Sequence, residues 1–330
     1  MENTFTINKT VLKKFKSSKV FKDHKEEVNS LDISRCGNYL VSCSTDGKIH
    51  LYDLQQGDKI NSYLIEDSKE LGNIKFTNHS KTVLLSTYEK EAYSIIYLSL
   101  HDNVVLAKFL GENTRILSID TSPLDSKFVT STTNEEARVW DYNSTDLIAV
   151  FRECKATCID NTGKVLACSH NPPVGEERHI YLYNIEEDEY EYPFSTLSIN
   201  HHPNNFVIKF MKFSYNGKYL LCIDEIHSVF IVDAFDGGII NKLIEPSRQS
   251  TPTPVVADFS PCSKHIVFGM NNRVAFWNWV DNEETTLSGT HVKEINAIRC
   301  NPEYFCVVSA CQNIILWSLD TTEVDDAPEK

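Results

Sequence analysis

The sequence has ten cysteines, at 36, 43, 154, 158, 168, 222, 262, 300, 306 and 311, but no CxxC pair. Most sit in apolar strand-like runs such as Leu40-Val41-Ser42-Cys43. They therefore read as buried free thiols rather than disulfide staples, which fits a reducing compartment, the cytosol or nucleus. The N-terminus, Met1-Glu2-Asn3-Thr4-Phe5, has no basic region leading into an apolar one. No apolar run approaches the ~18 residues of a membrane span, so neither a secretory leader nor a membrane partner is expected. Positive charge is scarce, with 32 Lys and Arg against 46 Asp and Glu for a net charge of −14. A field of that sign repels phosphate backbones, so direct nucleic-acid binding is not expected either.

Catalytic signatures are missing as well. There is no GxxxxGK followed by Ser or Thr, no GxGxxG after a strand, no HExxH and no GxSxG. Phosphate cradling, dinucleotide binding, zinc hydrolysis and the nucleophile elbow thus lack a local address. His201-His202 have no third or fourth ligand at familiar spacing, and Cys154 and Cys158 lack the second pair that a structural zinc site needs. The sequence is read as that of a non-enzyme without cofactor or metal.

What is present is a core and a repeat. With 41% apolar and 24% charged residues over 330 positions, wholesale disorder is excluded. A short apolar run ending in Ser, Thr or another polar residue, a polar turn and a second apolar run recur seven times. Examples are Leu31-Asp32-Ile33-Ser34 before Leu40-Val41-Ser42, and Met211-Lys212-Phe213-Ser214 before Tyr219-Leu220-Leu221. Each hairpin leads into an alternating run closed by Tyr52-Asp53, Tyr97-Leu98, Trp140-Asp141, Tyr183-Asn184, Val232-Asp233, Trp277-Asn278 or Trp317-Ser318, at spacings of 45, 43, 43, 49, 45 and 40. Period, strand count and dyad position resemble the four-stranded blades of WD-repeat propellers, which recur every ~40–45 residues.

Six units have a fourth strand, at 60–65, 104–110, 147–152, 193–199, 239–245 and 285–287. The seventh runs into the acidic stretch Thr321-Thr322-Glu323-Val324-Asp325-Asp326. Its missing strand is supplied by Ser18-Lys19-Val20-Phe21-Lys22, which closes the ring and protects an exposed sheet edge. The expected fold is thus all-β, a seven-bladed WD-repeat β-propeller closed by an N-terminal strand. Its parts are a lead-in over 1–16, the propeller over 17–319 and an acidic disordered tail over 320–330.

In blade one, His24, Ser44, Asp46 and Tyr52 stand where WD-repeats join four side chains by hydrogen bonds, and they are assigned a structural role. Elsewhere the turn position six before the dyad is Asn134, Asn271 or Cys311, so packing is expected to hold those blades. The seven lysines between Lys9 and Lys25 have three readings, a contact for an acidic partner, an aid to nuclear entry or an edge strand guarded against aggregation.

Three segments exceed what a tight blade needs: His170 to His179, Asn200 to Asn205 and Pro246 to Pro254. The connections they make emerge on one propeller face, so they are expected to cluster over blades four to six. They offer a docking face, or else they have drifted in tolerant loops. His170, Arg178, His201 and Arg248 are the candidate contacts there, with Asp46, Glu91, Arg115 and Asn134 on loops of the other blades. Thr251-Pro252 and Thr253-Pro254 have the form of proline-directed phosphorylation sites.

Three stretches carry a more specific resemblance: Tyr97-Leu98-Ser99-Leu100-His101-Asp102-Asn103, Ile231-Val232-Asp233-Ala234-Phe235-Asp236-Gly237, and Asn301-Pro302-Glu303-Tyr304 with Ser309-Ala310-Cys311-Gln312-Asn313. They are similar to the WD repeat-containing protein 82 family, whose fungal member sits in COMPASS, a histone lysine methyltransferase. The resemblance implies a nuclear, non-catalytic adaptor that binds the methyltransferase catalytic subunit and other COMPASS-type subunits and links them to the RNA polymerase II tail. It also implies a second role with protein phosphatase 1 regulatory and polyadenylation factors in transcription termination. The insertion Asn171-Pro172-Pro173-Val174-Gly175 departs from the family pattern.

Two rivals remain. A ubiquitin-ligase substrate receptor commonly has Arg two residues after the Trp-Asp dyad, where this sequence has Asn143 and Gln55. A propeller hydrolase would gather carboxylates from the inner strands about a central metal, and Asp32, Asp120, Asp160 and Asp258 are its candidates.

Overall fold

Short β-branched and aromatic runs separated by polar turns pair with their sequence neighbours, save for one pairing of the first strand with the last, and the result is seven antiparallel four-stranded sheets. The structure is a computed structural model that describes residues 9–65, 70–89, 92–110, 114–171, 177–199, 207–243 and 255–319. In each of the first six blades the strands pair in chain order from the inside out. Blade one runs Val28–Ile33, Tyr39–Ser44, Lys48–Asp53 and Asp58–Leu64. Several inner strands contain a bulge, as between Val28 and Ser30 or Ile116 and Ser118, which adds to the twist of each sheet.

Blade seven takes Ala297–Cys300, Cys306–Ala310 and Ile314–Leu319 from the end of the chain and its outer strand, Phe15–Phe21, from the beginning. Phe15 pairs with Leu319 and Phe21 with Ile314. The ladder therefore starts inside the segment read as lead-in, and the boundary at 17 is corrected. The short helix Lys9–Leu12 precedes it, and Leu12 and Phe15 are buried in the core between blades six and seven. Phe15 meets Phe276 and Phe305 edge-on, at centroid distances of 5.5 and 4.7 Å.

The core is a set of seams between blades. One buried cluster joins blades one and two, and others follow at every junction round to blades seven and one, where Val28, Leu31 and Tyr52 pack with Val308 and Leu316. A further closure contact is a hydrogen bond from Asn301 Nδ2 to the Gly37 carbonyl, 2.7 Å. Gly37 has φ of 71°, and a Cβ there would lie 2.5 Å from Asn301 Oδ1, so only glycine fits this turn.

The polar residue that ends each inner strand caps the turn after it. Ser34 Oγ accepts from Tyr39 N, Ser214 Oγ from Tyr219 N, and Ser260 Oγ from His265 N. These turns and the turns between third and fourth strands share one face. The turns between second and third strands and the crossings to the next blade share the other.

The expectation that the thiols are buried is refined at two positions. Cys43, Cys154, Cys158, Cys168, Cys222, Cys300 and Cys311 are buried, but Cys36 and Cys262 are exposed, because each stands in a face turn rather than in a strand. Among the described residues no helix is long and apolar enough to cross a membrane.

Candidate functional site

In blade one, His24 Nε2 lies 2.8 Å from Ser42 Oγ and Nδ1 lies 3.2 Å from Asp46 Oδ2. The serine in this chain is Ser42, not Ser44 as the sequence suggested. Both point to the same sheet face, being two apart on a strand, but Ser44 stands at the strand end, where its Oγ accepts from Asp46 N at 3.2 Å. The Tyr52 hydroxyl, buried beside Ser42 and Asp23, closes no hydrogen bond to either. Burial opposes ionisation of Asp46, yet bonds from the Lys25 and Lys48 amides and from His24 hold its carboxyl below the usual range. Its side chain is 5% exposed, so the partner role expected of Asp46 is corrected: its acceptor capacity is spent within the blade.

His24, Asp46 and His50 have potential ligand atoms within 4.8 Å of one another. Both nitrogens of His24 are engaged by Asp46 and Ser42, so the group is a hydrogen-bond chain. The His50 ring lies tilted against that of His24, with centroids 4.2 Å apart, and has its Nδ1 2.8 Å from Ser62 Oγ.

Blade seven repeats the device, although the sequence reading expected packing alone there. His291 Nε2 is 2.7 Å from Ser309 Oγ, its Nδ1 is 3.2 Å from Cys311 Sγ, and Trp317 Nε1 donates to Ser309 Oγ at 2.7 Å. A signal existed: Ser42 follows His24 by 18 positions, and Ser309 follows His291 by the same 18. Cys311 in place of the usual aspartate concealed it. Among the described residues of blade three, the bond of this kind is Trp140 Nε1 to Thr130 Oγ1 at 3.2 Å.

Around the axis lies a channel of about 440 Å³. The position two before each inner-strand cap holds, in blade order, Asp32, Lys75, Asp120, Cys158, Lys212, Asp258 and Arg299. Charges thus alternate except at blade four. Lys75 Nζ sits 3.4 Å from Asp32 and 3.3 Å from Asp120, Lys212 pairs with Asp258, and Arg299 lies 3.6 Å from Asp32. Burial opposes protonation of Lys75, but Asp32 and Asp120 outweigh it and raise its pKa.

Asp32 also accepts Phe76 N, Asp120 accepts Ile159 N and Asp258 accepts Cys300 N, at 2.9–3.0 Å, so each ties its blade to the next. Asp160 differs, because its carboxylate caps its own turn at Thr162, Lys164 and Val165. The carboxylates nominated for a central metal are therefore each committed to a backbone amide, three of them also to a cation.

The loop candidates divide. Thr133 N donates to Arg115 O at 2.9 Å, which sets Arg115 beside the turn of the exposed Asn134, and Arg115 faces Glu70 at 3.5 Å. At blade four, His170 packs on Tyr181 with centroids 5.0 Å apart, and Arg178 Nη1 lies 3.4 Å from Asn171 Oδ1. Ile199 N donates to Arg178 O at 3.4 Å. Glu91, His201 and Arg248 lie outside the described residues, as do Thr251, Thr253, the acidic tail and most of the three insertions.

Seven four-stranded blades closed by the N-terminal strand, with an Asp46–His24–Ser42 chain across the first and a Cys311–His291–Ser309–Trp317 chain across the last, make this chain a WD-repeat β-propeller. The family model for the WD domain, G-beta repeat, matches residues 15–53. Over nearly its whole length the chain is similar to WD repeat-containing protein 82 of Drosophila melanogaster, with 29% identity over 321 residues, 95% of this chain and 97% of the relative. COMPASS component SWD2 of Saccharomyces cerevisiae is 28% identical over 337 residues, covering 96% of this chain and 99% of its own. Set1 complex component swd2 of Schizosaccharomyces pombe is 27% identical over 278 residues, 81% of this chain and 74% of its own. The resemblance to the WD repeat-containing protein 82 family thus extends from end to end.

Proposed function

We propose that this chain is a non-catalytic nuclear adaptor, a WD-repeat subunit of a COMPASS-type histone lysine methyltransferase complex that links the catalytic subunit to transcribing RNA polymerase II. The observation that carries the reading is the similarity, over 96% and 81% of this chain, to relatives named as COMPASS and Set1 complex components. The chemistry of the ring supports it. The inner-strand charges are paired with one another and the carboxylates hold neighbouring amides, so the channel is built for rigidity. A rigid ring presents loops at fixed spacing, which lowers the ordering cost of docking an extended peptide.

A ubiquitin-ligase receptor is disfavoured. Where such receptors have arginine, Gln55 is bonded to Asn38 and Tyr304, and the Asn143 amide is bonded to Asp141. The test is affinity purification from nuclear extract through a C-terminal tag, which leaves the ring-closing strand untouched. Methyltransferase subunits among the co-purifying proteins sustain the reading. Phosphatase 1 and polyadenylation factors alone would move the protein to transcription termination, and neither set would overturn both.

A further inference from the structure

The turns between third and fourth strands of blades four and five form a feature that neither the channel nor the hydrogen-bond chains use. Tyr192 is 76% exposed, Phe194 59% and Phe235 94%. These rings are not loosely placed. Phe194 N donates to Leu182 O at 2.9 Å, Glu189 bridges to Asn184, and Tyr190 turns inward against Phe151 at 6.1 Å. The Phe235 turn is fixed by Asp233 Oδ1, which accepts from the Phe235 amide at 2.8 Å, and by Gly237, whose φ is 78°. A Cβ on Gly237 would lie 3.0 Å from Ser198 N and 3.1 Å from the Leu197 Cα, so this turn sits directly on the strand that follows Phe194. Three aromatic side chains are thus exposed on two adjoining turns.

The charge beside them has one sign. Glu186, Glu187, Asp188, Glu189 and Glu191 are exposed in the same loop. Lys164 neutralises Glu186 and Lys127 neutralises Asp188, each at 2.8 Å. Glu187, Glu189 and Glu191 have no ion-pair partner among the described residues. An anionic ligand, whether nucleic acid or an acidic membrane, is repelled by such a patch. Exposed aromatic faces next to unpaired carboxylates match a cationic ligand that also brings apolar surface, since Lys or Arg can lie over a ring while its ammonium or guanidinium meets a carboxylate.

We propose that the seam of blades four and five is a docking site for a linear, Lys/Arg-rich segment of a partner protein anchored by an aliphatic or aromatic side chain, with Phe235 and Tyr192 as its apolar contacts and Glu187, Glu189 and Glu191 as its charge contacts. The inference deepens the adaptor reading and rests on it for the premise that the ring docks peptides. It also explains why Phe235 is left in water by a turn that three hydrogen bonds and a glycine contact hold in place.

The test uses the full chain and three labelled synthetic peptides: a basic one with a central Leu-Trp pair, the same peptide with Ser in place of that pair, and an acidic one that keeps it. Fluorescence anisotropy should show binding of the first, weaker binding of the second and none of the third. Phe235→Ala should weaken the first peptide by about tenfold or more, as expected of a central aromatic contact. Glu189→Lys with Glu191→Lys should do likewise and should reduce the salt dependence. Because these side chains are exposed, an unchanged thermal midpoint verifies the fold of each variant.

Binding that is indifferent to both variants, equal binding of the acidic peptide, or no binding of the basic one overturns the site. So does concentration-dependent self-association that Phe235→Ala abolishes, because a second copy would then cover the seam. The two readings fail separately. Loss of the site with methyltransferase subunits still co-purifying leaves the adaptor standing, whereas seam-dependent peptide binding without those subunits removes only the assembly.

Discussion

Nδ1 of His291 stands 3.2 Å from Sγ of Cys311, in the geometry that Asp46 provides for His24 in the first blade. A thiol has replaced a carboxylate, yet Ser309 still receives both His291 and Trp317. Ser309→Ala would leave two buried nitrogens without a partner and should cost about 1–3 kcal/mol of stability in chemical denaturation. The same measurement separates the two serines of blade one. Ser42→Ala should cost more than Ser44→Ala, because Ser42 holds the buried His24 ring whereas Ser44 accepts a turn amide.

Buried imidazoles make the fold sensitive to mild acid. Burial lowers His291 to about 4, and burial together with the nearby His24 and Lys59 charges lowers His50 to about 4. In the unfolded chain both titrate near 6.5. Above that pH both states are neutral and no penalty arises. As pH falls from about 6.5 toward 4 the unfolded chain takes up protons first, so stability declines across that window and levels off below it. Denaturation midpoints measured between pH 7.5 and 4.5 should fall, and His50→Asn with His291→Asn should flatten the slope. An equally steep slope in the double variant would rule out these two groups as its source.

Ring closure depends on the first strand. Phe15 is fully buried against Phe276 and Phe305. Phe15→Ala should cost about 3–5 kcal/mol, in the range for buried aromatic truncation. Removal of residues 1–21 should expose the edge of Ile314–Leu319 and promote aggregation, which light scattering would detect.

One thiol should react before six of the others. Burial opposes ionisation of Cys262, but hydrogen bonds with His265 and Ser260 and from the Lys264 amide bring it down to about 7. Burial pushes Cys306 up to about 11 and Cys43, Cys158, Cys168, Cys222 and Cys300 higher still. At pH 7.5, limiting iodoacetamide should label Cys262 ahead of these six thiols, as read by peptide mass spectrometry. His265→Asn should slow that labelling by removing the imidazole from the sulfur.

The sequence alone determined the ring. Hydrophobic period, turn residues and the aromatic dyads are local properties, and seven copies of one pattern fix the number of blades. The missing fourth strand of the last unit also pointed back to Val20 and Phe21, because an unpaired edge needs a partner. It did not reveal which of two serines on one strand face meets His24, since Ser42 and Ser44 differ only in height along the strand. Nor did it reveal that Cys311 completes a chain through His291, because a thiol there breaks the familiar motif while preserving its geometry.

The roles of the inner-strand carboxylates were decided only in three dimensions. Asp32, Asp120 and Asp258 read as possible metal ligands in one dimension, but their partners, Lys75, Lys212, Arg299 and the amides of adjoining blades, come from other repeats. Pairing between side chains more than 40 positions apart depends on the closure of the ring, and so does the exposure of Phe235 beside the loop of Tyr192 and Phe194. Local patterning builds each blade, whereas the contacts between blades determine which charges are neutralised and which aromatic rings remain in water.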